Sequence, residues 1–358
     1  MSVIRNFEGF DFLQPPPESE QEDMRMVRTH YAENGQYLAR TPDTPAALPI
    51  SASFICAHAP DYVGRPTIGW DSEKWVDLFE EMKCDGLDTV IFQAALWNEL
   101  RECYYASKIY RDGFRQWEVV APMLEAAKQC GMTVFLGGYG SLSGFEAGKM
   151  SEREIALDID RQIACMLELL ERDADFAGIY YVSESMFLGR DPEFEKRLNR
   201  IYRNYLGRLA EAAPDKKFFI SPATMYVPGP AQDFIDFWEA ILDGLPPMIL
   251  SPQDSVGTGC SSLLHAEEFW RRWKIVADHF GYPLWANIEL FERTKFSGPD
   301  LFKAASPARV RAQINCAAPY VERCTCWEYA FFTSQAEDAE DLKREIFGRT
   351  PAEGKISG

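Results

Sequence analysis

Short apolar runs alternate with longer stretches of helical period along most of this chain. The runs fall at residues 50–56, 89–95, 133–139, 176–183, 217–222, 248–253, 283–289 and 324–329. Each is rich in β-forming residues and ends in small or polar ones, the signature of a buried strand. Between the runs the apolar period changes to that of a helix. Asp71 and Ser72 can cap a helix that buries Trp75, Leu78, Phe79 and Met82 and stops at Gly86. The next, over 117–129, stops at Gly131. Ser151 and Glu154 have capping-box spacing ahead of Ile155, Ile159, Ile163, Met166 and Leu170. Further helices are expected over 193–212, 231–242, 264–279, 308–318 and 336–347.

Eight strand–helix repeats predict parallel strands joined by right-handed crossovers. The length suits a (β/α)8 TIM barrel of the α/β class. A doubly wound open sheet is the alternative, but such sheets carry a Gly-rich phosphate loop after the first strand. Here that strand runs into Cys56, Ala57 and His58 instead, and Gly137-Gly138-Tyr139-Gly140 lacks the dinucleotide spacing. Residues 1–48 show no sustained period, and Pro15, Pro16, Pro17, Pro42 and Pro45 lie there among many charges. They are expected to form an N-terminal extended arm, partly ordered against a barrel at 49–349, with 350–358 as a tail.

Composition narrows the function. With 46% hydrophobic residues and nine Trp in 358 residues, the chain can fill a large core, which excludes general disorder. A net charge of −18 without a basic run makes it a poor partner for nucleic acid or an anionic membrane. No apolar stretch approaches the roughly 20 residues of a membrane span. The N-terminus lacks the apolar run and cleavage site of a secretory signal, so a cytoplasmic location is expected. The nine cysteines are scattered and odd in number, which suits reduced thiols. Cys324-Thr-Cys326 lacks the spacer of zinc and redox motifs and reads as core packing. The expected partner is a small carbohydrate, with self-association left open.

In such a barrel the chemistry sits where the strands end. The eight ends supply His58; Gln93 and Trp97; Tyr139; Glu184; Ser221; Gln253 and Asp254; Asn287 and Glu289; and Trp327 and Glu328. Strand alternation places Trp285, Asn287 and Glu289 on one face and Leu284, Ala286 and Ile288 on the other. The apolar set suits the helices, so the mixed set faces the barrel axis. The same alternation groups Glu184 with Val182 and Tyr180, and Glu328 with Cys326 and Cys324. Glu184, Asp254, Glu289 and Glu328 are thus expected to converge from four strands. Carboxyls so placed can protonate a leaving oxygen and attack an anomeric carbon, directly or through water. Trp97, Tyr139, Trp285 and Trp327 offer flat faces for sugar rings, and Gln253, Asn287 and His58 offer hydrogen bonds. No HExxH, His-x-His or G-x-S-x-G spacing occurs, and no metal or cofactor is expected.

Three segments carry a resemblance: GlyIleTyrTyrValSerGlu at 178–184, SerProGlnAspSerValGly at 251–257 and LeuTrpAlaAsnIleGluLeuPheGlu at 284–292. They resemble a bacterial family of glycosidase-like TIM-barrel domains, largely without assigned activity, and the resemblance spans about residues 50–333. The wider group it is similar to is the retaining clan-A glycosidases. That likeness implies Glu184 as acid/base and Glu289 as nucleophile, although Ser183 stands where those enzymes usually have Asn; Asp254 is the alternative second carboxylate. The leading expectation is therefore a glycoside hydrolase acting on a small oligosaccharide or glycoside. Its rivals are a sugar isomerase, epimerase or lyase, with Glu184, Asp254, Glu289 and His58 as a metal set, and a non-catalytic carbohydrate-binding protein.

Overall fold

All eight apolar runs become strands of one parallel sheet. In the computed structural model they are β1 (Ile50–Ile55), β2 (Thr89–Phe92), β3 (Thr133–Gly137), β4 (Gly178–Tyr181), β5 (Lys217–Ile220), β6 (Met248–Leu250), β7 (Trp285–Glu289) and β8 (Arg323–Trp327). The structure describes residues 17–57, 69–141, 149–294, 302–335 and 339–348, with side chains from residue 24. Each strand pairs with its sequence neighbour, β8 returns to β1, and bridges Leu250–Leu284 and Gln253–Asn287 join β6 to β7. The sheet is a closed (β/α)8 barrel.

The helices begin and end where the local chemistry directs. Asp71 accepts from Lys74 N–H, Ser151 and Glu154 form the capping box, and Gly131 and Gly281 close their helices in the left-handed conformation.

Two apolar layers result from strand alternation. Leu284, Ala286 and Ile288 pack outward against the helices, together with Cys324 and Cys326. The barrel lumen holds Phe54, Ile91, Phe135, Tyr180, Val182, Phe219, Ile249 and Trp285. Its rings meet edge-on or tilted, at 5.3 Å for Phe54–Tyr180 and Phe135–Phe219 and 5.6 Å for Phe219–Trp285. All nine cysteines are free thiols.

One expectation needs correction. The described part of the expected arm does lie against the barrel, but not extended: Pro17–Arg40 is a helix, packed on the helices Leu263–Phe280 and Pro307–Ala317, and residues 1–16 lie outside the described residues. Its inward positions are Val27, His30, Tyr31, Asn34 and Tyr37, at helical spacing. Most of them are polar, so a search for apolar periodicity passes over them. Two small sheets at the C-terminal end of the barrel were also not apparent from the pattern. One is built from residues 96–97, 102–103, 115–116 and 139–140; the other pairs Phe291–Arg293 with Phe302–Ala304. Strands of two or three residues are too short for alternation to register.

Candidate active site

Glu289 is the last residue of β7, and inward alternation carries its carboxyl above the apolar lumen, where it is buried. Its Oε2 accepts the backbone N–H groups of Gly257, at 2.5 Å, and Thr258, at 3.0 Å. Its Oε1 is buried and has no hydrogen-bond partner among the described residues. The two donors come from the loop after β6. There Ser255 has a φ of 56°, a left-handed conformation unusual for a residue with a side chain, and its carbonyl accepts Cys260 and Ser261 N–H.

Gly257 is required where it stands. A Cβ there would lie 2.4 Å from the Phe291 carbonyl oxygen and 2.8 Å from Glu289 Cβ. Gly257→Ala is therefore expected to push the loop away, strip both donors from Glu289 and destabilise the fold by about 1–3 kcal/mol. Thermal melting would check this.

Asp254, beside Glu289, is buried with both oxygens engaged. Gln313 Nε2 donates to them at 2.8 and 3.0 Å, and Val256 N–H at 3.2 Å. Burial raises both carboxyls above their usual range, and the charge of Asp254 raises Glu289 further. Arg309 and the hydrogen-bond donors act the other way. The Arg309 guanidinium is buried; it donates to the carbonyls of Glu289, at 2.9 Å, and Phe291, at 2.8 Å, and lies 3.6 Å from Glu292.

Glu184 follows β4 and keeps partial exposure. Loss of hydration pushes its carboxyl up to about 7, and a hydrogen bond from Gln253 limits the rise. Gln253 ties the two sides of the site together. Its Nε2 donates to Ser221 O at 3.2 Å, Asn287 Nδ2 donates to Ser221 Oγ at 3.1 Å, and Gln253 is bridged to Asn287, two residues before Glu289 on the same face.

The remaining expected site residues separate clearly. Trp97 and Trp327 are half-buried and cap the lumen cluster. Trp97 lies on Gly140, where a Cβ would meet its ring at 2.6 Å. Trp327 sits among Phe291, Phe302 and Phe332. Tyr139 is buried against Tyr110, and its hydroxyl donates to Asn98 Oδ1 at 2.7 Å.

Trp285 does not reach the mouth. It starts β7, packs on Phe135 and Phe219 and is covered by the Arg323 guanidinium, which also donates to Ser51 ahead of the β1 core. It plugs the opposite end of the barrel and offers no face to a sugar. Glu328 is buried, and its Oε2 accepts Cys56 N–H at 3.0 Å, which ties β8 to β1. Its expected grouping with Cys324 and Cys326 also fails. Those two thiols face the helices, Thr325 pairs with Asn287, and β8 ends at Trp327 so that alternation does not extend to Glu328. His58 lies outside the described residues. Among the described residues no group of three or more His, Cys, Asp and Glu is arranged to hold a metal ion. Among them, too, no helix is long and apolar enough to cross a membrane.

Sequence reading missed Arg309 and Gln313. Both occupy the buried face of helix Pro307–Ala317 beside Val310 and Ile314. A polar pair at i, i+4 on an otherwise apolar helix face was the available signal.

The domain model described as "Domain of unknown function (DUF4434)" matches residues 61–339. The chain belongs to the DUF4434 family. No curated protein matches it. Among solved structures, a "putative alpha-L-fucosidase" from Bacteroides thetaiotaomicron is similar at 19% identity, over 87% of this chain and 99% of that one, with a TM-score of 0.69. A GH5-4 broad specificity endoglucanase from Ruminococcus champanellensis, with bound cellotriose, is similar at 10% identity, over 83% and 93%, with a TM-score of 0.52. At these identities the likeness is one of fold. This DUF4434 domain is a (β/α)8 barrel in a family of unassigned activity.

Proposed function

We propose that this DUF4434 protein is a glycoside hydrolase acting on a short oligosaccharide or glycoside, with Glu184 as acid/base and Glu289 as nucleophile. The observation that carries the reading is the way the two carboxyls are held, because burial raises both, Glu289 no less than Glu184. Glu184 is poised near neutral pH and can hold a proton for a leaving oxygen. Glu289 is gripped on one oxygen by two peptide N–H groups, and the other oxygen has no hydrogen-bond partner among the described residues. That oxygen is the one to bond the anomeric carbon as the glycosidic C–O bond breaks and Glu184 gives its proton to the departing oxygen. Water then attacks the same carbon, Glu184 takes the water's proton, and Glu289 is released.

Asp254 assists this step electrostatically. Ester formation removes the charge on Glu289, which relieves the repulsion within the buried pair. Trp97 and Trp327, half-buried around the mouth, suit stacking against sugar C–H faces. The wider likeness to glycosidase barrels agrees with this reading but carries no substrate.

A panel of aryl glycosides and oligosaccharides tests it. Turnover is expected on at least one member, with the product anomer matching the substrate. Turnover that survives both Glu184→Gln and Glu289→Gln would sink the reading. Sugar binding by calorimetry with no turnover across the panel would replace it with a binding protein.

A further inference from the structure

The N-terminal helix reaches the candidate site through one residue. Along it, His30, Tyr31 and Asn34 all bond the backbone of the loop after β6 or its continuation. His30 Nδ1 meets Gly259 O at 2.8 Å, and Asn34 Oδ1 accepts Leu263 N–H at 2.8 Å. Tyr31 is placed differently from these two. Its hydroxyl lies 2.8 Å from Gly257 O and 3.1 Å from Arg293 O and donates its one hydrogen to the nearer carbonyl, while Arg293 N–H reaches both the hydroxyl, at 2.6 Å, and Gly257 O, at 2.9 Å. Gly257 O belongs to the same peptide unit as Thr258 N–H, which donates to Glu289 Oε2 at 3.0 Å. The order is hydroxyl, carbonyl, N–H, carboxylate. A donor on a carbonyl polarises the N–H of its own amide and fixes the plane in which it points.

We propose that Tyr31 is a positioning residue for Glu289, acting through the single peptide unit Gly257–Thr258. This rests on the reading of Glu289 as the working nucleophile. Without the hydroxyl, Gly257 O keeps the Arg293 N–H at 2.9 Å but loses its side-chain donor, and the N–H that favours ionised Glu289 weakens. Other groups face Glu289 as well: Asp254 from the loop after β6 and Arg309 from helix Pro307–Ala317; Glu292, further along the segment, lies against Arg309 and acts on Tyr31. Among the described residues, the side chain that donates to the Gly257 carbonyl is that of Tyr31, beside the backbone N–H of Arg293. Tyr37 serves as an internal control, because it lies on the same helix but its hydroxyl meets Cys316 Sγ at 3.4 Å, away from this loop.

The test is a carbon-13 NMR titration of the full chain labelled at glutamate side-chain carboxyls, with Glu289→Gln used to identify the Glu289 resonance. In Tyr31→Phe the Glu289 midpoint is expected to rise by about half a unit, as loss of hydrogen bonding to a charged form dictates. Tyr37→Phe should leave it in place. Replacing tyrosine biosynthetically by 3-fluorotyrosine, a stronger donor, should move the midpoint down, and it keeps the proposal testable if Tyr31→Phe folds poorly. An unmoved midpoint in Tyr31→Phe, an equal shift in Tyr37→Phe, or no downward shift with 3-fluorotyrosine overturns the proposal. Turnover separates the two readings. If the midpoint moves but no glycoside is hydrolysed, the positioning role stands and the hydrolase reading fails. If Glu289→Gln abolishes hydrolysis while the midpoint ignores Tyr31, only the positioning role fails.

Discussion

Glu289→Gln is expected to lower turnover on every hydrolysed glycoside by about a thousandfold or more, whereas the cost of Glu184→Gln is expected to depend on the leaving group. The difference follows from the roles. Glu289 forms a covalent bond in the first step, and an amide oxygen in the same place is a far weaker nucleophile. No property of the departing group compensates for that. Glu184 supplies a proton, which general acid catalysis makes worth about 10²- to 10⁴-fold. An alkoxide needs the proton badly, and a dinitrophenolate hardly needs it. With dinitrophenyl glycosides, Glu184→Gln should therefore form the glycosyl-enzyme at near-normal rate and stall at its hydrolysis, where water has lost its base. Azide, which needs no base, should restore turnover and give a glycosyl azide of the same anomeric configuration as the substrate. A burst of phenolate followed by slow steady state is the kinetic sign. Equal losses on all leaving groups, with no azide rescue, would show that Glu184 is not the acid/base.

What the sequence made legible was what alternation and capping encode. The eight strands, the inward set Asn287 and Glu289, and the caps at Asp71 and Ser151 all depend on residues near one another in the chain, and the structure holds them as expected. Glu289 closes β7, so parity fixes its face, whereas Glu184 lies three residues beyond the end of β4, where parity no longer fixes the face. Trp285 was misplaced because parity gives the face of a strand but not the depth: it faces inward like Glu289, yet it sits at the first position of β7 and Glu289 at the last.

The environment of Glu289 was hidden for a different reason. It is made of backbone N–H groups from residues 257 and 258, a guanidinium at 309 and a hydroxyl at 31. Peptide donors have no letter in a sequence, and contacts across more than two hundred residues have no period. Such groups become visible only once the barrel brings the loop after β6, the last long helix and the N-terminal helix to one place. The same cause concealed the helix Pro17–Arg40, whose inward face is specified by hydrogen bonds and not by greasy spacing.

Glu184→Gln should also make the protein more stable, and the gain should depend on pH. The ordinary glutamate carboxyl ionises near 4.5, and in the folded protein Glu184 is pushed up to about 7. Ionised Glu184 is therefore tolerated better by the unfolded chain than by the native one. Below about pH 4.5 both states hold the proton and the group costs nothing. As pH rises from there towards 7 the unfolded chain gives up its proton first, so wild type loses stability, and above 7 the full penalty is in place. Glutamine has the same shape and does not titrate. The variant should match wild type near pH 4.5 and exceed it at pH 8 by on the order of 2 kcal/mol, allowing for the partial exposure of the side chain. For a domain of this size that is a few degrees in Tm. A structural carboxylate in an ion pair would behave in the opposite way, since its loss destabilises most where it is charged. Melting curves of wild type and Glu184→Gln at pH 4.5, 6 and 8 separate the two cases, and a variant less stable than wild type at pH 8 would remove the desolvated, proton-holding Glu184 on which the acid/base role depends.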